Sequence, residues 1–254
     1  MTTVDLNADL GERSGSWRRG DDDAILRVVT TTHIACGFHA GDPTTMRETV
    51  DSAVRHGVTI GAHPSYPDRE GFGRRPLEVG LEQIRDDLIY QVAALDGIAR
   101  SAGARVRSVK PHGALYNRMA TDQDCALAVA EAIRELDPSL WLVVLAGTPG
   151  AQVAGSRGLR VAEEAFCDRG YDADGTLLAR EAQGALIVDP AEAARRAVRL
   201  VRDHVVETAH GQTVAIVPST LCVHGDTPGA PMLALAVREG LEAAGFVVAS
   251  SQVP

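Results

Sequence analysis

The feature that most constrains the fold is a regular alternation of short apolar segments with amphipathic ones along the chain. The short segments predict strands at 4–9, 33–36, 58–63, 106–111, 140–145, 159–165 and 214–223, the last broken or bounded by Pro218, with a weaker one at 185–188. The others predict helices at 21–29, 43–56, 81–102, 122–136, 149–156, 190–209 and 230–244. Strands alternating with helices in this way indicate parallel βαβ units, so we expect an α/β protein.

Polar, ionisable residues recur where nearly every predicted strand ends. A closed β/α barrel assembles its site from many strand ends at one face, whereas an open doubly wound sheet concentrates chemistry at one switch point. No glycine-rich phosphate loop follows any predicted strand. The pattern therefore predicts a TIM-like β/α barrel as a single catalytic domain over residues 1–254, with the open sheet as the alternative.

Composition excludes several classes of function. The net charge of −9 is spread over the chain and no basic stripe is present, so we expect no binding to nucleic acid or to anionic membranes. The amino terminus lacks a basic and apolar leader, and no apolar run approaches a membrane span. Four cysteines without C-x-x-C spacing predict reduced thiols. Together these features predict a cytoplasmic protein.

Lys110 is the only lysine among the 25 Lys and Arg residues of the chain. It ends a predicted strand, and His112, two residues further on, lies on the same strand face. An ammonium is more compact than a guanidinium and can lose its proton more readily. A single lysine can be an incidental surface residue, but its place between Val109 and Pro111 favours a functional site.

The candidate site residues at the strand ends are Asp9, Glu12, His39, Asp42, His63, Lys110, His112, Glu163, Glu164, Asp168, His224 and Asp226. Each has an ordinary explanation when it is taken alone. Asp42 can cap the following helix, and Asp226 can hold a turn. Only one of Glu163 and Glu164 can face inward. Their recurrence at one level of the predicted barrel indicates a shared active site.

Two hydrolytic chemistries fit these residues. In the first, a carboxylate such as Asp9 acts as base on water, while Lys110 and a histidine stabilise an oxyanion. In the second, His39, His63 and Asp9 bind a divalent metal that activates water. No local metal motif such as H-E-x-x-H is present, so the sequence leaves this choice open.

Four arginines in long predicted loops are further candidates, namely Arg74, Arg75, Arg169 and Arg180. They can bind a carboxylate or a phosphate, although loop arginines are more often solvated. Outside the strand ends, we expect the histidines at positions 56, 204 and 210 to be structural or solvated. His33 opens a strand and stays unassigned.

Six segments resemble the LamB/YcsF family, the family of the 5-oxoprolinase A subunits. They occur in order and span nearly the whole chain. They are Asp5–Glu12 (DLNADLGE), Ile34–Pro43 (IACGFHAGDP), Gly61–Pro64 (GAHP), Gly71–Arg75 (GFGRR), Val109–Asn117 (VKPHGALYN) and Cys222–Pro228 (CVHGDTP).

The resemblance implies a distorted TIM-like barrel of about seven strands, akin to the glycoside hydrolase/deacetylase superfamily. It also implies ATP-dependent hydrolytic opening of the lactam ring of 5-oxo-L-proline to L-glutamate, in complex with subunits B and C. In the family picture, the partners activate the lactam by phosphorylation and this subunit completes the ring opening. ATP is then expected to be consumed at the partner subunits, which fits the absence of a nucleotide motif here.

The resemblance supports the positions of the catalytic candidates Asp9, Glu12, Lys110 and His112. It also supports the substrate-binding candidates, which are His39, His63, Arg74, Glu164, Asp168, Arg169, Arg180, His224 and Asp226. Residue chemistry assigns Asp9 or Glu12 as base or metal ligand, and Lys110 with His112 as oxyanion stabilisers. His33 departs from the family pattern, in which asparagine precedes this isoleucine, so the substrate fit near that strand stays open.

Two other functions are weighed against this one. A stand-alone metal-dependent deacetylase or carbohydrate hydrolase fits the same class of barrel, and it would lose activity on chelation without needing any partner. A non-catalytic carbohydrate- or lactam-binding protein is disfavoured, because it would carry many buried ionisable residues at an energetic cost.

Overall fold

The computed structural model describes residues 2–13, 21–227 and 229–250. The elements in chain order are β1 (Thr3–Leu10), α1 (Asp22–Leu26), β2 (Thr31–Ala35), α2 (Pro43–His56), β3 (Thr59–His63), α3 (Leu81–Ser101), β4 (Val106–Val109), α4 (Gly113–Thr121), α5 (Gln123–Leu136), β5 (Trp141–Leu145), α6 (Pro149–Ser156), β6 (Arg160–Phe166), α7 (Pro190–Asp203), β7 (Val205–Glu207), β8 (Thr213–Ala215), β9 (Thr220–Cys222), α8 (Ala230–Ala243) and β10 (Val247–Val248). The predicted loop up to Gly20 lies, from residue 14 onward, outside the described residues, as does Pro228.

Seven parallel strands close into a barrel in the order β1-β2-β3-β4-β5-β6-β9, and β9 pairs back onto β1. β10 adds to β1 in parallel, next to the start of that strand. β7 and β8 form a separate antiparallel pair. The expected TIM-like barrel of seven strands is confirmed, and the closure between β1 and β9 rules out the open sheet.

β1 explains why the barrel interior is polar. Alternate residues of a strand point to opposite faces. Leu6 and Ala8 belong to the apolar core, whereas Asp5 and Asn7 bond across the barrel. Asp5 accepts hydrogen bonds from the Thr31 and Thr220 hydroxyls, for example, at 2.7 and 2.6 Å. The predicted common face of Asp5, Asn7 and Asp9 is therefore the inside of the barrel.

The helices bury one face each against the outside of the barrel. In α3 the buried face carries Ile84, Leu88, Val92 and Leu95, as the spacing predicts. Each such side chain stabilises the fold by about 1.5–3 kcal/mol when fully buried. α2 begins with Pro43 at its first turn and ends at Gly57, whose φ of 68° suits the left-handed cap of a helix. No helix in the described ranges has the length and apolar character needed to cross a bilayer.

The structure corrects four local predictions. The predicted helix 190–209 ends at Asp203, because His204 turns the chain with a φ of 55° into β7. The predicted strand 214–223 is broken around Pro218, as expected, but its two parts, β8 and β9, lie in different sheets. The weak strand 185–188 forms only an isolated bridge between Arg169 and Leu186. Finally, α4 was not predicted, since it follows β4 after only a short turn and spans nine residues.

Candidate active site

The carboxyl ends of the barrel strands bring the candidate residues together at one end of the barrel. Asp9 of β1 lies in register with His33 of β2, and His63 ends β3. Lys110 follows β4 directly, and Glu164 lies near the end of β6. A cavity of about 230 Å³ opens at this end. Its lining includes Asp9, His63, Arg74, Lys110, His112, Tyr116, Phe166, Arg169, Arg180 and His224.

Lys110 is buried in a group that we call the lysine cluster, which it forms with Asn7, Asp9, Glu164 and Cys222. Its ammonium nitrogen lies 2.8 Å from Glu164 Oε1 and 3.0 Å from Asp9 Oδ1. The same nitrogen lies 3.2 Å from Cys222 Sγ and 3.4 Å from Asn7 Oδ1. Two carboxylates therefore flank one ammonium inside the barrel.

The charges of the lysine cluster support one another. Burial alone would lower the pKa of Lys110, but Asp9, Cys222 and Glu164 raise it well above its usual value. Burial would raise the pKa of Asp9, but His63 and Lys110 lower it. For Glu164, burial outweighs Lys110 and raises the pKa. At neutral pH, Lys110 is therefore an ammonium facing the Asp9 carboxylate, as an electrostatic stabiliser of an oxyanion must be.

Glu164 is fixed by hydrogen bonds to both of its oxygens. Asn7 Nδ2 donates to Oε1 at 2.9 Å, and the Tyr116 hydroxyl donates to Oε2 at 2.9 Å. Glu163 faces the other way and accepts a hydrogen bond from the Gly147 backbone at 2.8 Å. Only Glu164 enters the barrel, in agreement with the predicted alternation.

A second group, which we call the histidine cluster, consists of Glu12, His39, His63 and His112, all buried. Glu12 Oε1 lies 3.4 Å from His39 Nε2, 3.9 Å from His63 Nε2 and 3.5 Å from His112 Nδ1. The rings of His39 and His112 are stacked, with centroids 3.9 Å apart. One possible ligand atom from each residue lies within 4.8 Å of the other three.

The protonation of two histidine rings follows from their backbone contacts. A carbonyl oxygen only accepts hydrogen bonds, so His63 Nδ1 donates to the Lys110 carbonyl at 2.7 Å. His112 Nε2 likewise donates to the Phe72 carbonyl at 2.8 Å. A neutral imidazole carries one proton, so His63 Nε2 and His112 Nδ1 both present lone pairs. These two atoms face each other at 2.9 Å.

The histidines of this cluster are neutral at neutral pH. Burial lowers the pKa of His63 to about 4. It also holds the pKa values of His39 and His112 well below the usual range. Burial, with Asp226 and Asp9 nearby, raises the pKa of Glu12 well above its usual value. Metal ligands must be free of protons, and these three rings satisfy that requirement.

The histidine cluster fits a divalent metal ion. Two lone pairs facing each other at 2.9 Å repel unless a cation lies between or beside them. In the described structure, both ring nitrogens of His39 and one oxygen of Glu12 are buried without a hydrogen-bond partner. Three imidazoles and a carboxylate are ligands that zinc and related ions accept. Of the predicted ligands His39, His63 and Asp9, the two histidines belong to this group, whereas Asp9 contacts Lys110.

The long loop 64–76 packs directly on the histidine cluster. Gly73 has a φ of 65°, and a Cβ there would lie 2.9 Å from both His39 and His112 side chains. Gly113 has a φ of 58°, and its Cβ would lie 2.4 Å from the Gly73 carbonyl oxygen. Both positions require glycine, because the loop and the start of α4 approach each other so closely. The loop thereby holds the Phe72 carbonyl against His112.

Asp168 and His224 form another wall of the cavity. Asp168 is buried and accepts hydrogen bonds from the His224 backbone at 2.9 Å and from His224 Nδ1 at 3.0 Å. The Phe166 ring stacks on His224, with centroids 5.1 Å apart. These contacts fix the imidazole where it lines the cavity.

Three of the four candidate arginines reach the cavity. Arg74 Nη2 lies 2.7 Å from Asp226 Oδ2, and Arg180 Nη1 lies 3.5 Å from the same oxygen. Arg169 donates to the backbone carbonyls of Ala185 and Leu178. Arg75 pairs with Asp68 and lies outside the cavity lining.

The remaining histidines divide as their positions suggest. His33 is buried, with Nδ1 3.8 Å from Asp9 Oδ1 and Nε2 3.2 Å from Ser108 Oγ, so it supports the site from behind. His56 contacts the half-buried Asp23, and the positions 204 and 210 lie away from the cavity lining. Asp42 caps α2 by accepting a hydrogen bond from the Thr45 backbone at 2.9 Å.

Sequence reasoning assigned no role to four residues that shape the site, namely Asn7, Tyr116, Phe166 and Cys222. Asn7 shares the interior face of β1 with Asp9, which is a signal in the sequence. Tyr116 and Cys222 lie within conspicuous motifs, but their contacts with Glu164 and Lys110 come from distant parts of the chain. No local pattern announces such contacts.

The chain is similar to known proteins over nearly its whole length. The LamB/YcsF family pattern matches residues 4–253. The chain is 48% identical to 5-oxoprolinase A subunit 1 of Agrobacterium fabrum over 250 residues, which cover 98% of each protein. It is 49% identical to the 5-oxoprolinase A subunit of Bordetella pertussis over 245 residues, covering 96% of this chain and 97% of that one.

A solved structure is similar in both fold and sequence. The lactam utilization protein from Thermus thermophilus superposes with a TM-score of 0.91 at 46% identity. The superposition covers 98% of this chain and 99% of that one. On this evidence the chain belongs to the LamB/YcsF family.

Proposed function

We propose that this chain is the A subunit of a 5-oxoprolinase, a hydrolase that opens the lactam ring of 5-oxo-L-proline to L-glutamate. The curated relatives that are named as this subunit, at 48–49% identity, support the proposal. The observation that carries it is the Lys110 ammonium, which lines a small cavity beside the Asp9 carboxylate and neutral histidines. Such a site suits the attack of water on an uncharged amide carbonyl.

The residues divide the reaction as follows. Water adds to the lactam carbonyl carbon, and the carbonyl oxygen becomes an oxyanion that the Lys110 ammonium stabilises. Asp9 lines the cavity, where it orients the water and accepts its proton. Glu12 does not take this role, because it lies among the histidines of the histidine cluster. The ring C–N bond then breaks, and the nitrogen takes up the proton that Asp9 accepted from water, which forms the amine of glutamate and restores the Asp9 carboxylate. The Lys110 charge is present before the oxyanion forms, so it needs no rearrangement.

We further propose that Glu12, His39, His63 and His112 hold a divalent metal. When bound, the metal would supply Lewis acidity next to the cavity and lower the pKa of water. Within the chain itself, the Lys110 and Phe72 carbonyls fix the tautomers of His63 and His112, so that unprotonated nitrogens face the metal position. These backbone contacts would orient the ligands as a second layer around the metal.

ATP and the partner subunits belong to the same proposal. The family resemblance implies that ATP is consumed at subunits B and C, which activate the lactam, and the lack of a recognisable phosphate-binding loop in the sequence fits this division. The chain acts as one catalytic domain of a cytoplasmic complex. The naming of its relatives as A subunits supports an assembly of several subunits.

The test is reconstitution. The purified chain with its B and C partners should produce glutamate from 5-oxo-L-proline only when ATP is present, and omission of this chain should abolish the reaction. A complete complex that forms no ATP-dependent glutamate would overturn the proposal. The parallel reaction with Lys110→Arg in place of the wild-type chain serves as the inactive control.

The histidine cluster favours one second candidate, a stand-alone metal-dependent deacetylase or carbohydrate hydrolase. This function requires no ATP and no partner. Release of acetate from acetylated sugars by the chain alone, abolished by chelation and restored by zinc, would support it. Absence of that activity, together with ATP-dependent glutamate formation in the complex, would exclude it.

A further inference from the structure

The outer part of the cavity carries more positive charge than its neighbours balance. Arg74, Arg169 and Arg180 line it, and Asp226 is the carboxylate that pairs with two of them. Asp168 also lies close and interacts electrostatically with Arg169, so two carboxylates, Asp168 and Asp226, face three guanidinium groups. Glu181 lines the rim and is exposed, so water screens its charge.

Arg180 is the least satisfied of these arginines. Its side chain is 19% exposed, and the contact that the described structure provides is the 3.5 Å ion pair with Asp226. Arg74 is engaged more fully, since it pairs with Asp226 at 2.7 Å and stacks over the Phe72 ring. Arg169 donates hydrogen bonds to two backbone carbonyls. Arg180 therefore has several N–H donors left for a ligand in the cavity.

The inner end of the cavity is less suited than the rim to a group that carries a permanent negative charge. The Lys110 ammonium is already flanked by Asp9 and Glu164 within 3.0 Å. His63 and His112 present lone pairs there rather than protons. A substrate carboxylate at this end would face the Asp9 carboxylate and the unprotonated nitrogens of His63 and His112. A ligand with one charged and one uncharged end thus has one favourable orientation.

We propose that Arg180, with Arg74 beside it, binds the carboxylate of the substrate and so directs the lactam carbonyl inward to Lys110. This inference rests on the proposed function and names the specificity-determining residue of the same site. A guanidinium suits a carboxylate because it offers two parallel N–H donors. Without this anchor, a small lactam can turn in the cavity and present the wrong edge to Asp9.

The same guanidinium chemistry would accept a phosphoryl group, so the test must separate the two anions. 2-Pyrrolidinone is the substrate ring without its carboxylate, and inorganic phosphate carries the alternative anion. With the assembled complex, kcat/KM is measured for 5-oxo-L-proline, and inhibition constants are measured for 2-pyrrolidinone, phosphate and acetate. Three variants are compared with the wild type: Arg180→Met, Arg180→Lys and Arg47→Met. Arg47 is an exposed residue of α2 outside the cavity lining, so Arg47→Met controls for loss of one surface charge.

We expect Arg180→Met to lower kcat/KM for 5-oxo-L-proline about 10- to 100-fold, mainly through KM, as loss of a charge-assisted hydrogen bond predicts. Inhibition by 2-pyrrolidinone should stay within about twofold, because that ligand never contacts the anchor. Arg180→Lys should recover part of the loss, and Arg47→Met should behave like wild type.

Two results would overturn the inference while leaving the proposed function intact. In the first, Arg180→Met keeps the wild-type kcat/KM for 5-oxo-L-proline. In the second, phosphate inhibits the wild-type complex far more strongly than acetate and loses that effect in Arg180→Met, which assigns the anchor to a phosphoryl group. A wild-type complex that turns over no 5-oxo-L-proline would overturn both proposals.

Discussion

The lysine cluster and the histidine cluster lie side by side and are both buried, but they satisfy their polar atoms in opposite ways. In the lysine cluster, one ammonium lies between two carboxylates, so opposite charges face each other. In the histidine cluster, acceptors face one another, because two rings donate their N–H groups to backbone carbonyls. The clusters meet at Lys110, whose side chain belongs to the first and whose carbonyl contacts His63 of the second, and at Asp9, whose Oδ2 lies 3.5 Å from His63 Nε2.

The difference shows two ways in which buried polar groups can be stabilised. A buried charge is tolerated when the chain supplies its opposite, and removal of one partner then costs about 3–5 kcal/mol. Buried acceptors without donors are tolerated when a cation from solution completes them. The first cluster is therefore part of the folding equilibrium, while the second, on the proposed metal binding, would be part of a binding equilibrium. Each of the following substitutions tests that division.

The largest effect is expected for Lys110→Arg. This change keeps a positive charge for Asp9 and Glu164 but places a larger planar group where the compact ammonium stabilises the oxyanion. We expect kcat to fall about 100- to 1,000-fold, which is typical of losing one oxyanion donor. ATP-dependent glutamate formation by the assembled complex measures it. Turnover close to wild type would contradict the assignment.

Lys110→Met provides the matched comparison in stability. It leaves both carboxylates buried without their cation, so we expect about 3–5 kcal/mol lower free energy of unfolding in urea. Metal affinity should change less than stability in either variant, because the clusters touch through the Lys110 carbonyl and the 3.5 Å contact between Asp9 and His63, and neither involves the Lys110 side chain. If the free energy of metal binding fell by as much as the free energy of unfolding, the two clusters would not be independent.

Glu12→Gln should act on the histidine cluster alone. The amide keeps the size of the side chain but removes the negative charge that a divalent ion requires, so we expect zinc affinity to fall about 100-fold or more. Calorimetric titration of the metal-free chain with zinc measures this loss. Glu131→Gln on the exposed face of α5 is the control. Failure of the wild-type chain to bind any divalent metal would refute the assignment of this cluster.

Tyr116→Phe should have a moderate effect confined to the lysine cluster. It removes the hydroxyl that donates to Glu164 Oε2, and so loosens one of the two carboxylates that hold Lys110. We expect about a fivefold to tenfold fall in kcat, equivalent to about 1 kcal/mol. Zinc affinity should remain unchanged. Equal losses of turnover and zinc affinity would show that the clusters act as one unit.

The smallest effect on function is expected for His33→Asn, which introduces the residue of the family pattern. His33 lies behind Asp9 and contacts Ser108 without reaching the cavity. Its ring fills space above Gly61, where a Cβ would lie only 2.4 Å away. We expect about 1–2 kcal/mol lower stability, typical of a smaller buried side chain, with turnover and zinc affinity unchanged. Loss of turnover without loss of stability would place His33 in the chemistry.

Much of the barrel is predictable from local pattern, because its strands are short, apolar and bounded by turns. The same holds for α3 and α5, whose apolar spacing is regular over several turns. Local pattern fails for the three-residue strands β7 and β8, which are too short to show alternation. It also fails at α4, where the chain passes from strand to helix within three residues.

The site is predictable in position but only partly in function. Strand ends identify Asp9, His63 and Lys110, since the topology places all such ends at one face. The partners that set their charge are remote, as Asn7 and Glu164 are 157 residues apart. The tautomers depend on two backbone carbonyls, and a sequence does not encode their directions in any local pattern.

The pairing of β1 with β9 has a consequence for the order in which the protein is made. β1 leaves the ribosome first, and its partner residues Thr220–Cys222 follow more than 200 positions later. Until then, Asp5 and Asn7 lack contacts with Thr220, and the β1 edge stays open. A nascent or truncated chain that buried Lys110 before β9 was present would lack the contact of Lys110 with Cys222. Closure of the barrel and completion of the active site are therefore one late event, so fragments ending before β9 should carry no residual activity.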